Sequence, residues 1–423
     1  MSDLALSYPT KKISDVALVD PENLPESTPY HYRLKYIDLS AVSVGSISDN
    51  IDWVTFENAP SRARRVVKKG DVLMATVRPN LQGFAKLNDI ASGTVASTGF
   101  AVIRASDDFD NEFLYQNLFS DSVTAQIEAL VVGSNYPAIN SSEVRNLLIP
   151  APDLRSQQKI AKILSTVDNL IEKTQSLIDK YTAIKQGMMA DLFTRGIDMT
   201  TSDTQNSKGG KLRPSAEDAP ELYKQTELGW VPKEWEVLSF GELADYNNGN
   251  SFSADSWKEE GYSIIRIQNL NGSNEYNYYE GPVKSIWHVL PGDLLFAWSG
   301  QKGVSFGARI WNGPEGVLNQ HIFKVYENSK LLTRQFLYYL FKLNVGRIED
   351  NAHGFKDSFV HVTRSELTDV TVMVPPKEEQ AVIEQRVIAL DRKLEQELGS
   401  LEKYKKLKKG LMQDLLTGKV TVA

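Results

Sequence analysis

The sequence predicts an α+β protein built twice over: two globular units of mixed sheet and helix, each followed by a long helix. Three observations carry this reading. Residues 113–197 and 336–420 align without a gap at an offset of 223. Short β-branched and aromatic runs, broken by turn residues, precede each aligned stretch. The aligned stretches then run on as apolar residues at heptad spacing.

The repeat is carried by identities. Phe113-Leu114-Tyr115 recurs as Phe336-Leu337-Tyr338, Gln157 as Gln380, Asp168 as Asp391 and Lys180-Tyr181 as Lys403-Tyr404. Towards the ends Lys185, Gly187, Met189, Asp191, Leu192 and Thr194 return as Lys408, Gly410, Met412, Asp414, Leu415 and Thr417. Further upstream, Gly70-Asp71 corresponds to Gly292-Asp293 at an offset of 222.

In chain order, residues 1–150 form the first globular unit, with strand-like runs at 71–77 and 100–104 and a helix from about residue 111 to about 130. Residues 151–197 form the first long helix, opened by Pro150 and Pro152. Its series Ile160, Leu164, Val167, Ile171, Thr174, Ile178, Tyr181 alternates steps of four and three; Ile163, Leu170, Leu177 and Ile184 add a second line every seven residues, which predicts one broad apolar face. Residues 198–225 turn towards Ser, Thr, Asp, Gly and Pro, as expected of an exposed polar connection. Residues 226–374 restart a core at Trp230 and Trp235, with strand-like runs at 262–268, 293–298 and 321–326 and a helix from about residue 332 to about 345. Residues 375–420, after Pro375 and Pro376, form the second long helix. A helix of about forty residues is roughly 60 Å long and cannot fold around itself, so each stripe needs a partner, and the other copy is the nearest. The two helices are expected to pair as an antiparallel coiled coil, in which case a pseudo-twofold relates the units.

Composition narrows the chemistry. The chain has 423 residues, no cysteine and five scattered histidines, which removes disulfides, thiolate nucleophiles and Cys-ligated metal sites. No run of eighteen apolar residues or basic leader is present, so a cytoplasmic protein without membrane spans is expected. The formal charge of −7 argues against coating nucleic acid through the whole surface. Nucleotide-binding, zinc-protease and nucleophile-elbow motifs are absent, as is the Asn/Asp-Pro-Pro-Tyr tetrapeptide of amino-methyltransferases. Gly70-Asp71 and Gly292-Asp293 are read as turns opening apolar strands, because no second acid recurs beside them.

Positive charge is instead concentrated in particular loops. Arg62, Arg64, Arg65, Lys68 and Lys69 put five cations in eight residues with no acid among them, a candidate phosphate track. Beyond the next strand, Arg78, Asn80 and Gln82 supply groups able to make bidentate contacts to base edges. The second copy offers Trp298, Ser299, Gln301 and Lys302 in the same place, and Asn319, Gln320 and His321 beside a strand. Two more polar loops precede the long helices: Ser134, Asn135 and Tyr136 in one copy, Phe355 and Lys356 in the other. A solvated loop explains any one of these; their paired occurrence points to two DNA readers built alike and aimed at different targets. The Lys403–Lys409 run lies on the second long helix and reads as a solvated face or partner contact.

The order reader, long helix with Pro150, Pro152 and Gln157, the Thr226–Trp235 restart, reader, long helix with Pro375, Pro376 and Gln380, together with the helix ends at Gly187 and Gly410, resembles the specificity (S) subunit of type I restriction–modification systems over essentially the whole chain. The resemblance implies two target-recognition domains, each binding one half of a split, asymmetric site on double-stranded DNA. It also implies a helix pair that sets the spacer and docks two methyltransferase (M) subunits, with restriction (R) subunits in the full complex. S-adenosylmethionine, ATP and Mg then belong to partner subunits, and this chain is expected to hold no cofactor, metal or catalytic residue. The alternatives are a coiled-coil adaptor of another defence or transcription complex, against which the 62–69 cations count, and an enzyme, for which a duplicated acid–base pair would be expected. The net negative charge predicts weak, salt-sensitive DNA binding by the chain alone and tight binding once M subunits join.

Overall fold

The computed structural model describes residues 8–131, 137–200, 210–351 and 359–422. The chain forms two compact units, Met1–Ile178 with Gln396–Ala423, and Asp179–Glu395. The long helices are therefore not bodies of their own: each contributes one part to the first unit and one to the second.

In the first unit, a mixed four-stranded sheet runs in the order Trp53–Thr55, Arg33–Ile37, Thr94–Ser97, Ala63–Val66. Its central pair is parallel and its outer pairs antiparallel. An antiparallel sheet follows, ordered Ala17–Val19, Phe100–Ala105, Val72–Ala75, Phe84–Lys86. Strand Val72–Ala75 is buried on both faces, so it reads as a continuous apolar run and not as an alternation. One face packs on the helices Asn111–Leu118 and Asp121–Val131 through Phe113, Leu114 and Val123, and the other closes a smaller core around Leu73, Phe100 and Val102.

The second unit repeats this plan. Its mixed sheet is ordered Tyr278–Tyr279, Tyr262–Ile265, Gly316–Leu318, His288–Val289, again with a parallel central pair. Its antiparallel sheet is ordered Ala244–Asn248, Ile322–Glu327, Leu294–Ala297, Gly307–Ile310. One helix, Arg334–Asp350, stands where the first unit has two.

The long helices, Leu154–Leu192 and Lys377–Leu416, run antiparallel. In the first unit Ile160, Ala161 and Leu164 share a core with Leu411, Met412, Leu415 and Leu416, and Asp168 is ion-paired with Lys408 at 2.6 Å. In the second, Leu192 and Phe193 pack with Ile383 and Val387, Asp391 is ion-paired with Lys185, and Lys393 lies over the Tyr181 ring at 5.7 Å. Rising numbers on one helix thus meet falling numbers on the other within each unit. Truncating a core leucine such as Leu164 would remove about 2–5 kcal/mol of stability.

Each helix starts the same way. Gln157 Nε2 donates to the Pro152 carbonyl at 2.8 Å, and its Oε1 accepts from the Asp110 amide at 2.8 Å. Gln380 Nε2 donates to the Pro375 and Leu331 carbonyls, both at 2.8 Å. The buried glutamine folds back on the proline five residues upstream and ties the helix start to the globular part of its own unit.

Two expectations are corrected. The broad apolar face of the first helix is two lines, because Ile160, Leu164, Val167, Thr174 and Ile178 are buried, with Ile171 partly so, whereas Ile163, Leu170, Leu177 and Ile184 are 36–43% exposed. The segment 198–225 is not simply an exposed connection in its described part. Strand Ile197–Asp198 pairs with Lys211–Leu212, Tyr223–Thr226 with Gly229–Pro232, and Arg213 is buried. The reason is electrostatic: Glu379 is buried at the start of the second long helix and accepts from Arg213 Nη1 at 3.3 Å, Trp235 Nε1 at 3.0 Å and the Ile197 amide at 2.6 Å. A buried carboxylate needs such partners, and the polar segment delivers the cation.

Candidate nucleic-acid interface

The Gly-Asp pairs open strands as turns do. Asp71 accepts from the Lys68 amide at 2.8 Å and from Arg104 Nε and Nη2 at 2.7 Å each. Asp293 accepts from the Leu290 amide at 2.8 Å and pairs with Lys324 at 2.7 Å. Gly70 and Gly292 take φ of +91° and +92°, a backbone conformation that glycine adopts without strain.

The five-cation segment is only partly a loop: Arg64 and Arg65 lie on a strand, and Arg62, Lys68 and Lys69 flank it. Residues Ala63–Val66 form the edge strand of the mixed sheet, and three of the cations are engaged within the protein. Arg65 pairs with Asp20 at 3.0 Å and donates to Asn23, Lys68 pairs with Glu22 at 3.0 Å, and the Arg64 guanidinium lies 4.5 Å from the centre of the Phe56 ring. Arg62 and Lys69 are exposed. The segment's charge is thus partly neutralised by acids some forty residues upstream.

Arg78, Asn80 and Gln82 lie on one tight turn around the 3-10 segment Pro79–Leu81. Arg78 and Gln82 both sit in the left-handed region, at φ +49° and +52°, and Asp20 is the other non-glycine residue with positive φ among the described residues. Such backbone costs about 1–3 kcal/mol per residue and persists where surrounding contacts hold it. Here the Arg78 amide donates to the Pro137 carbonyl at 2.7 Å, and Gln82 Nε2 donates to Thr124 Oγ1 at 3.3 Å. Asn80 and Leu81 project into solvent beside Arg78. Two backbone hydrogen bonds bring the neighbouring loops together: the Thr98 amide donates to the Arg62 carbonyl and the Thr76 amide to the Gly99 carbonyl, both at 2.9 Å. Ser134, Asn135 and Tyr136 lie outside the described residues.

In the second unit Trp298, Ser299 and Gln301 follow the strand Leu294–Ala297 and pass into a short strand, Ser299–Gln301, paired with Phe359–His361. Trp298 packs against His321 at 5.2 Å and His361 at 4.8 Å between ring centres. The Trp298 Nε1–H and His321 Nδ1 are both buried without a hydrogen-bond partner, and Gln320 Nε2 lies 3.2 Å from His321 Nε2. Sequence reading did not find His361, because nothing local shows that its strand runs beside Trp298. Ser299 is buried and Gln301 and Gln320 are exposed. Asn319 is bridged to Asn250, and Lys302 pairs with Glu349 at 2.9 Å, which raises the lysine above its ordinary pKa through that hydrogen bond. Phe355 and Lys356 lie outside the described residues. Each unit therefore gathers amide, guanidinium or aromatic groups at the ends of equivalent central strands, with different chemistry in each. Among the described residues no three His, Asp or Glu side chains are grouped to hold a metal ion, and no helix is long and apolar enough to cross a membrane.

Comparison with known proteins agrees with this duplicated geometry. The family model described as the type I restriction modification DNA specificity domain matches residues 10–180 and again 232–403. A provisionally named MjaX specificity subunit of a type I restriction enzyme, from Methanocaldococcus jannaschii, is 29% identical over 68% of this chain and 63% of its own length, so the match spans a little under two thirds of that relative. The type I restriction enzyme MjaVIII specificity subunit of the same organism is 25% identical over 78% of this chain and 75% of its own length. The crystal structure of a type I restriction-modification system S subunit from M. genitalium shares the fold at 15% identity, with a TM-score of 0.60 over 97% of this chain and 96% of that one. With two copies of the specificity domain covering most of its length, the chain belongs to the type I restriction–modification DNA specificity family.

Proposed function

We propose that this chain is the DNA-specificity subunit of a type I restriction–modification complex, in which each unit reads one half of a split, asymmetric duplex site and catalysis resides in partner subunits. The observation that carries this reading is the double match of the specificity domain, one copy per unit, on equivalent sheets whose strand-end residues differ. Equal frames with unlike side chains suit two readers of unlike half-sites.

The helix pair supplies the second half of the function. Ile163, Leu170, Leu177 and Ile184 stand every seven residues along the first long helix and remain more than a third exposed. A line of that period suits an amphipathic helix of a methyltransferase subunit. S-adenosylmethionine and the adenine methyl transfer then lie on the M subunits, ATP and Mg on R subunits, and the complex works in the cytoplasm. Within this chain the residues position DNA and partners, and no group is assigned to bond making or breaking.

The test is a methylation map of the genome in strains with and without the gene. Loss of one bipartite adenine-methylation motif on deletion, and its return on complementation, is expected. An unchanged map in a strain with a working M subunit overturns the reading.

A further inference from the structure

The first unit carries a second cationic surface, on the adjacent strands Arg33–Ile37 and Trp53–Thr55 of its mixed sheet. On strand Arg33–Ile37 the alternation buries Leu34 and turns Arg33 and Lys35 to the opposite face, beside Trp53 of the neighbouring edge strand, which is in register with Lys35. The Arg33 guanidinium lies 5.6 Å and the Lys35 ammonium 5.8 Å from the centre of the Trp53 ring, which is 42% exposed. Tyr30 and Tyr32, 74% and 36% exposed, extend the surface. No acid occurs between Ser27 and Ile37, and among the described residues neither Arg33 nor Lys35 forms an ion pair. Arg65, Lys68, Lys86 and Arg104 of the same unit are all paired with carboxylates. The equivalent sheet of the second unit shows a related arrangement: Arg266, which follows strand Tyr262–Ile265, lies 4.9 Å from the centre of the Trp257 ring, and Trp257 and Tyr262 are exposed.

We propose that Arg33 and Lys35, held against Trp53, form a duplex-DNA phosphate contact of the first unit. Two cations without carboxylate partners on a chain of net charge −7 call for a polyanion, and a flat aromatic between them suits the sugar edge of a backbone. Cation–aromatic stacking costs little of the cations' charge, so they stay available to phosphate oxygens, unlike cations neutralised by a carboxylate. The contact is independent of base sequence: it orients the reader on the duplex and does not choose the site. This inference rests on the DNA-specificity reading above.

The experiment measures binding of fluorescent duplexes by the complex of this chain with its methyltransferase subunits, over a range of salt, using the mapped motif and a scrambled sequence. For the double variant R33Q/K35Q the affinity for both duplexes should fall by the same factor, and the slope of log K against log salt should become shallower by about 1.8, some 0.9 for each phosphate no longer neutralised. Trp53→Leu should weaken both duplexes alike with little change in slope. Unchanged affinity and slope in the double variant overturn the proposal, as does a loss confined to the motif duplex, which would make these residues base readers. Failure of the variant to retain M subunits would make the surface a protein contact and overturns it equally. If the wild-type complex itself shows no preference for the motif, the functional reading fails independently of the variant.

Discussion

The two units share a frame and differ in how it is fastened to the long helices. In each, a carboxylate one-third of the way along its helix holds three elements together. Asp168 accepts from Gln116 Nε2 at 2.8 Å and pairs with Lys408, whereas Asp391 accepts from the Tyr339 hydroxyl at 3.1 Å and pairs with Lys185. Gln116 and Tyr339 are themselves equivalent at the offset of 223. The node has thus survived a change of donor because the carboxylate accepts from either side chain. At the helix starts the units diverge further. The second has the buried Glu379–Arg213–Trp235 network; the position equivalent to Glu379 is Ser156, whose hydroxyl donates to Asp153 at 2.6 Å near the surface. Only the second unit receives the polar segment that carries Arg213. What recurs is what holds reader to helix, and what differs follows from where the chain must connect.

The largest effect expected from breaking this comparison is at Glu379. Replacing it by Ala strands the Arg213 charge and the Trp235 Nε1–H in the interior, and about 3–5 kcal/mol of stability should be lost in urea unfolding. Ser156→Ala, at the equivalent first-turn position where the hydroxyl only donates to the exposed Asp153, should cost no more than about 1 kcal/mol. Equal losses would show that the two helix starts are energetically alike after all.

Next come the glutamines. Gln157→Ala and Gln380→Ala each leave buried backbone groups without a partner and should each cost about 1–3 kcal/mol, with amide exchange quickening first in the unit that carries the change. Smaller again, Asp168→Asn and Asp391→Asn remove half-exposed ion pairs and should each cost about 1 kcal/mol or less, read as the shift in melting at low salt that shrinks at high salt.

The smallest effect distinguishes Glu384 from its equivalent, Ala161. Burial raises the Glu384 carboxyl above its ordinary pKa, against the opposing hydrogen bonds from Thr333 and the Phe336 amide. A carboxyl raised in the folded state is more easily protonated there than in the unfolded chain. Its contribution is therefore fully present below the unfolded pKa and is lost as pH rises through the folded one. Glu384→Gln should raise the melting temperature slightly at neutral pH and leave it unchanged in mild acid; a rise of the same size at both pH values would show that burial of charge is not the cause.

Much of the frame was legible because periodicity and repetition are local signals. The two long helices and their Pro–Gln starts follow from spacing, whereas their antiparallel sense is seen only in the contacts between them; the offset of 223 marks Asp168, Asp391, Lys185 and Lys408 before any contact is seen. The candidate interface was less legible. The cations at 62–69 looked unopposed because Asp20 and Glu22 reach them only through the fold, from a segment about forty residues away. Arg33 and Lys35 drew no attention, since two cations among tyrosines are commonplace until strand register sets Trp53 beside them. The polar segment looked like a connection because composition reports mean polarity, whereas the fate of Arg213 was decided by a single buried glutamate at position 379.

The division of the long helices has a consequence for how such a chain could arise and be taken apart. The first unit is completed by Lys408, Leu411, Met412, Leu415 and Leu416, which belong to the second copy of the repeat. The first copy's own residues at those places are Lys185, Met188, Met189, Leu192 and Phe193, close in charge, size and polarity. A half-length chain ending after the first long helix should therefore not remain an incomplete monomer. Two such halves can complete one another reciprocally, each lending its helix end to its neighbour's core, as a symmetric dimer that reads the same half-site twice. In that light the full-length chain carries both halves of such a dimer in one polypeptide, free to bear unlike residues at the strand ends while the helix-end residues remain matched.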